Sequence, residues 1–423
     1  MEVERVEDLG CASDVDWSFK SAVPVDVESG EIFTGRRCTV KNRVYIDCTA
    51  TANTLHHTGI QRVTRTLIVF GAVRNEDWVP IVWDSGCYRL PNRFERSRLT
   101  SVFSPGIHRW RKLTNFLGGI FPRKEENLLE SGSDTVFLLT EIPSGERLQF
   151  LDELASTGSR QMVMVGICHD LLSWSHPEWT ASSRKEGFED YLRLLGLMER
   201  IICPSQATAI EWDRFQRVAG IVGPKAEVMP WPVSGELKTT SASKDFVPMI
   251  LSVGTFEARK NHDRLLDAAE MLWKSGHLFE LQLVGRQRAR GENEIPDRIA
   301  ELRRQGRQVE WTPRATDEKL EALYQRSAFT VFPSLAEGYG LPVAEALIRG
   351  KPCICSGEGA MGEIAAGGGC LVVRVEDSQD IAKGVEELLT NPKMLKNLSR
   401  EADSREWPSW SDWMDALIDS SKC

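Results

Sequence analysis

Two carboxylates, Glu337 and Glu345, stand with seven residues between them in the string FPSLAEGYGLPVAEALIRG at 332–350. The preceding run AFTVF at 328–332 is strand-like, and Glu337, Gly338 and Gly340 fall in a short loop after it. A helix is predicted to start at Pro342 and stop at Gly350. Proline suits the first helical position because its missing N–H would be unpaired there, and glycine suits the residue just past the end. Glu337 is then a loop residue and Glu345 lies about one turn inside the helix. The unpaired first-turn amides, at the positive end of the helix dipole, favour an anion at the loop mouth. Gly338 and Gly340 let the backbone come close to whatever binds. An acid directed into a pocket that also attracts anions suits a ligand bearing both hydroxyls and phosphate. The competing reading is that the two acids only complement the dipole of a helix start.

Stepping along the chain gives the elements that would position such a site. VYIDCT at 44–49 reads as a buried strand, followed by the polar loop ATANTLHHTG and a helix from about Ile60 to Phe70 that carries Arg62 and Arg65. Strand, glycine-ended loop and helix in that order open a Rossmann-like unit. His56 and His57 read as exposed loop residues. WVPIVWD at 78–84, DTVFLLTE at 134–141 and QMVMVGICHD at 161–170 read as further strands, the last two as buried parallel ones. Open α/β sheets bind ligands at the carboxyl ends of their strands, which directs His169 to a cleft; the alternative is a hydrogen-bonded core histidine. In RIICPSQAT at 200–208, Ser205 reads as a helix cap.

The segment MPWPVSGELKTTSASKDF at 229–246 has the composition of an interdomain linker. A second Rossmann-like unit follows: strand PMILSVGT at 248–255, loop EARKNH with Arg259 and Lys260, helix HDRLLDAAEML, and strands LQLVG at 281–285 and QVEW at 308–311. A helix is predicted over 316–329 and another near 380–389. The fold class is α/β with two Rossmann-like domains whose parallel sheets face a central cleft. The predicted divisions are an extension at 1–40, a first domain at 41–235, a second at 236–400, and a C-terminal helix at 401–423. Trp407, Trp410 and Trp413 lie at helical spacing there and read as packing between domains.

Length and composition set bounds. A chain of 423 residues accommodates two or three domains. An apolar share of 41% and a charged share of 27% are ordinary for a globular protein. A net charge of −9 speaks against a general nucleic-acid binder. The acidic start, MEVERVEDLG, carries no apolar leader, and no run reaches the roughly 18 apolar residues of a membrane span. Ten cysteines without a repeating spacing point to a reducing cytoplasm. Cys353 and Cys355 alternate along a strand-like PCICS and read as packed thiols, so no metal site is expected. Residues 109–124 differ from the rest: five bases, no acids, and Trp110, Leu113, Phe116, Leu117, Ile120 and Phe121. That pattern suits either an anionic membrane surface at the inner face of the plasma membrane or a cationic helix packed on its own domain.

EGYGLPVAE resembles the E-x7-E signature of retaining GT-B glycosyltransferases of family GT4. TGIQRV at 58–63 and HDLLSWSHPEW resemble a bacterial subgroup of that family that often builds O-antigen or capsule chains, although Thr58 and Ser173 depart from its usual residues. In the family the first Glu touches hydroxyls of the donor sugar and the second holds the nucleotide ribose. A histidine at the corresponding strand end lies close to the reacting sugar, and a lysine with an arginine grips the diphosphate. Here Lys260 keeps its place, while Thr255 stands at the arginine position and leaves Arg259 as the neighbouring cation. The resemblance therefore implies donor contacts at Gly59, Arg62, Gly254, Arg259, Lys260, Glu337, Gly338, Tyr339, Gly340, Leu341 and Glu345. It implies His169 and Glu337 as the catalytic pair, with neither metal nor cofactor. The implied reaction moves a hexose, best matched by mannose from GDP-mannose, onto a glycan or lipid-linked glycan. Two alternatives remain: a catalytically silent GT-B binding protein, and an NAD-dependent oxidoreductase, against which stands the lack of a G-x-G-x-x-G between strand and helix.

Overall fold

The structure is a computed structural model that describes residues 43–54, 58–73, 78–100, 135–157, 162–179, 187–233, 235, 247–287 and 295–419. The extension at 1–40, His56, His57, the basic and apolar stretch 109–124, and most of the linker segment lie outside the described residues. Two open sheets make up the α/β fold. The first has strands β1 (Arg43–Asp47), β2 (Trp78–Asp84), β3 (Cys87–Arg89), β4 (Thr135–Leu139), β5 (Met162–Ile167), β6 (Arg200–Cys203) and β7 (Ala226–Val228), in the order β3-β2-β1-β4-β5-β6-β7. Only β3 runs antiparallel, paired to β2. The second has β8 (Met249–Val253), β9 (Glu280–Val284), β10 (Val309–Thr312), β11 (Phe329–Phe332), β12 (Cys353–Cys355) and β13 (Cys370–Val372), all parallel, in the order β10-β9-β8-β11-β12-β13. The central strands are buried along their length, as in TVFLL and FTVF, because helices cover both faces of a parallel sheet. Strand order reverses between β1 and β4 and again between β8 and β11, and such switch points open a crevice at the carboxyl ends of the strands.

Several boundaries differ from the sequence expectation for local reasons. Thr49 opens the short helix Thr49–Ala52 instead of ending β1, because the Asp47 carboxylate accepts from its amide and its hydroxyl. The helix read as Ile60 to Phe70 extends over Gly59–Val73. The helix predicted over 316–329 is Asp317–Arg326: Ser327 turns to extended backbone and Phe329 joins the buried β11. The helix predicted from Pro342 to Gly350 is Leu341–Leu347. Its end tightens, with Arg349 and Gly350 donating to the carbonyls of Ala346 and Leu347 three residues back, before Gly350 turns left-handed at φ 66°.

One apolar cluster runs through both layers. It joins Val44, Ile46, Leu138 and Val165 of the first sheet to Tyr339, Val343, Leu347, Cys353 and Cys355, and then to Trp410, Trp413, Met414 and Leu417 of the last helix, Trp410–Ile418. That helix follows the second sheet in the chain yet packs on the first half: Trp410 stacks on Phe70 at 6.1 Å, and Arg200 donates to the carbonyl of Leu417 at 2.6 Å. Trp413 donates to the carbonyl of Met229 at 3.4 Å. Trp407 precedes this helix, so only two of the three tryptophans lie on one helical face. Among the described residues no helix is long and apolar enough to cross a membrane.

Candidate active site

Glu337 follows β11 in a loop whose shape is set by the loop after β8. Residues Ala258–Lys260 make a single 3-10 turn, and Asn261 then adopts a left-handed conformation at φ 58°, which asparagine tolerates better than most side chains. The Asn261 amide donates to the carbonyls of Pro333 at 3.2 Å and Val375 at 2.6 Å, and the Leu335 amide donates to the carbonyl of Arg259 at 2.8 Å. The two loops are thereby tied together, and their charged side chains meet. Lys260 Nζ lies 2.6 Å from one Glu337 oxygen and Arg259 Nη1 lies 2.7 Å from the other. Arg259 also reaches Glu257 at 2.7 Å, and the Lys260 ammonium sits 4.6 Å from the centre of the Phe332 ring. The Glu337 side chain is 9% exposed. Burial alone would raise its pKa, but Arg259 and Lys260 outweigh it and hold the carboxyl down at about 2. Burial pushes the Lys260 ammonium the opposite way to its Glu337 partner and leaves its pKa lowered. Gly254 adjoins this group: a Cβ there would lie 3.6 Å from Lys260 Cδ.

Glu345, inside the next helix, is nearly buried, and its partner comes from the other sheet's side of the molecule. Arg62 Nη2, on helix Gly59–Val73, lies 2.5 Å from Glu345 Oε1, and the Tyr324 hydroxyl lies 3.3 Å from Oε2. Arg62 is thus drawn onto a carboxylate and does not project as an isolated phosphate contact. Gly59 stands at the start of the same helix, where a Cβ would approach Leu341 Cδ1 to 3.3 Å. The Leu341 side chain packs against the shared apolar cluster.

His169 follows β5. Its Nε2 lies 2.8 Å from the Thr140 carbonyl and its ring stacks on Trp231 at 5.8 Å. That bond assigns the proton to Nε2 and leaves Nδ1 as the acceptor. Burial lowers the histidine pKa, which favours the neutral ring. The backbone of His169 meets the Glu337 loop directly: a Cβ on Gly338 would fall 2.0 Å from the His169 carbonyl oxygen, so only glycine fits. Gly340, at φ 103°, caps the next helix and lies under Met361. Tyr339 lies between these two glycines. Its ring is buried in the cluster and its hydroxyl donates to the Trp231 carbonyl at 3.0 Å, which leaves its backbone alone to meet a ligand.

The site residues therefore fall into three groups: Gly254, Arg259, Lys260 and Glu337; Gly59, Arg62, Leu341 and Glu345; and His169 against Gly338. Reading the sequence missed Asn261, Tyr324 and the pair Ser205 and Thr208, whose hydroxyls donate to the Gly338 carbonyl at 2.7 and 2.9 Å. Glu363 accepts from the amides of Gln206 and Ala207 at 2.8 and 2.6 Å. An asparagine directly after two cations was the available signal for a left-handed turn. The other contacts join residues far apart in the chain. Among the described residues no group of three or more His, Cys, Asp and Glu could hold a metal ion.

The Glu337 pairing generates a pH-dependent expectation. A carboxyl at about 2 when folded, against an ordinary 4.5, stabilises the fold fully above 4.5 and loses that contribution as pH falls toward 2. The contribution is about 3 kcal/mol at pH 7 and roughly half of that at pH 3. Denaturant unfolding of the parent chain and Glu337→Gln at both pH values checks this: the gap between them should narrow at pH 3. An unchanged gap would show that the carboxylate's charge does not carry the stabilisation.

Comparison with known proteins shows what the chain is similar to. Residues 235–405 match the family described as Glycosyl transferases group 1. The chain is 24% identical over 397 residues to the serotype-specific mannosyltransferase WbdA of Escherichia coli, covering 89% of this chain and 46% of that protein. It thus spans about half the length of the curated relatives it matches. Among solved structures, Anabaena Alr3699/HepE in complex with UDP and glucose aligns with a TM-score of 0.59 at 16% identity, covering 86% of this chain and 94% of that one. Sucrose-phosphate synthase from Thermosynechococcus elongatus aligns at 0.57 and 17% identity, covering 89% and 95%. The chain has the GT-B fold, and its 235–405 segment is similar to the glycosyl transferases group 1.

Proposed function

We propose that this chain is a retaining glycosyltransferase that moves a hexosyl unit from a nucleotide sugar to a hydroxyl of a growing surface glycan. The observation that carries the reading is the arrangement of Glu337 between Lys260 and Arg259, with His169 on the facing strand end. Lys260 and Arg259 would hold the donor diphosphate, since charge-assisted bonds stabilise both the bound diphosphate and the negative charge that grows as it departs. Glu337 would accept from hydroxyls of the sugar, and Glu345 from the ribose. A carboxylate has about four acceptor sites, so each acid can keep a protein cation and still bind a hydroxyl. The neutral His169 ring would lie beside the anomeric carbon and orient the sugar without attacking it.

In the proposed reaction the bond between the anomeric carbon and the diphosphate oxygen breaks, and the acceptor oxygen bonds to that carbon on the same face. The acceptor proton passes to the leaving diphosphate. Likeness to a mannosyltransferase favours mannose as the sugar, and GDP-mannose is the first donor to test. The acceptor would be a glycan or lipid-linked glycan. The basic, apolar stretch 109–124 would hold the enzyme at an anionic bilayer where such an acceptor lies, each base contributing roughly 1 kcal/mol. Co-sedimentation with anionic liposomes, lost when Arg109, Arg111 and Lys112 become Ser, would support that placement. No sedimentation of the parent chain would end it.

Thermal unfolding with GDP-mannose, UDP-glucose and a dTDP-hexose tests the reading as a whole. A fitting donor at a hundred times its Kd stabilises by about 2.7 kcal/mol. Protection by none of a broad panel of nucleotide sugars would count against the function. Calorimetric titration then separates the two acids. Glu337→Gln should weaken the complete donor by about one to two orders of magnitude while the free nucleoside diphosphate is less affected. Glu345→Gln should weaken both ligands about equally. Equal losses for both ligands in Glu337→Gln would remove the sugar contact from Glu337.

A further inference from the structure

We propose that Ser205 and Thr208 are positioning residues that set the register between the two halves of the site through the carbonyl of Gly338. The inference rests on the reading above for its activity readout only. Both hydroxyls are buried, at 1% and 4% exposure, and both donate to one carbonyl oxygen, at 2.7 and 2.9 Å. Ser205 begins the helix Gln206–Ala219 on the first sheet's side, and Gly338 belongs to the loop of the second sheet that carries Glu337.

A helix cap alone does not account for this geometry. The Ser205 oxygen accepts from the Thr208 amide at 3.1 Å, which is the capping bond and uses a lone pair. Its single proton has two acceptors in reach, the Thr208 hydroxyl at 3.1 Å and the Gly338 carbonyl at 2.7 Å, and the shorter contact is to Gly338. Thr208 makes no capping bond with its hydroxyl, and its proton goes to the same carbonyl. The grip is reciprocal, because Glu363 of the second half accepts from the Gln206 and Ala207 amides at the start of that helix. On its other side Gly338 is pressed against the His169 carbonyl, with no room for a Cβ.

The carbonyl so held belongs to the Gly338–Tyr339 peptide, one residue past Glu337. Moving the Gly338 carbonyl shifts the backbone that carries Glu337 relative to His169, whereas Lys260 keeps its contact with the Phe332 ring and Glu345 its bonds to Arg62 and Tyr324. Loss of the hydroxyls should therefore impair turnover more than nucleotide binding, since displacements of about 1 Å at a reacting centre can cost on the order of a hundredfold.

Two variants separate this role from capping. Thr208→Val removes one donor with little change of shape, and Ser205→Asp keeps an efficient cap while removing the other. Each should lower kcat by at least about tenfold with the affinity for the nucleoside diphosphate within about twofold, and Thr208→Ser should restore kcat. Hydrogen exchange of the 338–341 amides should accelerate in both variants, whatever the chain's activity. Unchanged exchange at those amides, or nucleotide affinity falling in step with kcat, would overturn the proposal. If the parent chain turns over no donor, the function above fails and exchange alone decides the register.

Discussion

A carboxylate that is almost wholly buried must be paired, and the pairing of Glu337 shapes everything around it. Taking such a group from water costs several kcal/mol even after the protein relaxes, and the cost is offset only when partners meet both oxygens with good geometry. Lys260 and Arg259 meet one oxygen each. To do so, the loop after β8 must close on the loop after β11. Asn261 takes the strained backbone conformation that permits this and returns two hydrogen bonds from its side chain. The same closure concentrates two cations at the switch point of the second sheet. A cluster of fixed charge that is neutral within itself, yet retains unused acceptor and donor capacity, is suited to a ligand carrying both phosphate and hydroxyls.

The second constraint is that the two sheets do not meet through charge alone. Their shared apolar cluster includes side chains of the first sheet, the Glu337 loop, the helix behind it and the last helix of the chain. Tyr339 illustrates the consequence: within the loop that carries Glu337, its ring is consumed by packing and its hydroxyl by the Trp231 carbonyl. Arg62 and Glu345 form the polar counterpart of that contact, a buried-to-surface pair joining opposite sides. A single cluster draws side chains from both sheets and ties them together. Their relative placement is fixed by packing, by hydrogen bonds and by the close approach of Gly338 to His169.

Much of this fold was legible because its signals are local. Uninterrupted apolar runs such as MVMVGI mark strands buried on both faces, and Trp78–Asp84 was read to the residue. The two acids of EGYGLPVAE were visible from their spacing and their glycines, as was Ser205 as a cap. What escaped depends on partners distant in sequence. The hydroxyl of Ser205 had a sufficient local explanation, so its bond to Gly338, 133 positions away, left no mark. Glu363 caps a helix 157 positions earlier. Helix ends were misplaced where the backbone tightened to three-residue bonds, as at 349 and 350, because that change has no side-chain signature. Trp407 stands at helical spacing from Trp410 yet precedes the helix, since Ser409 caps the start that follows it.

The proposed function requires Lys260 and Arg259 to hold a diphosphate while Glu337 holds the sugar attached to it. The decisive measurement is a structure of the chain with an intact nucleotide sugar. Diphosphate oxygens are expected within hydrogen-bond distance of Lys260 Nζ and the Arg259 guanidinium, and a hexose hydroxyl on a Glu337 oxygen. A nucleotide sugar bound elsewhere, with Glu337 touching only its two protein cations, would contradict it.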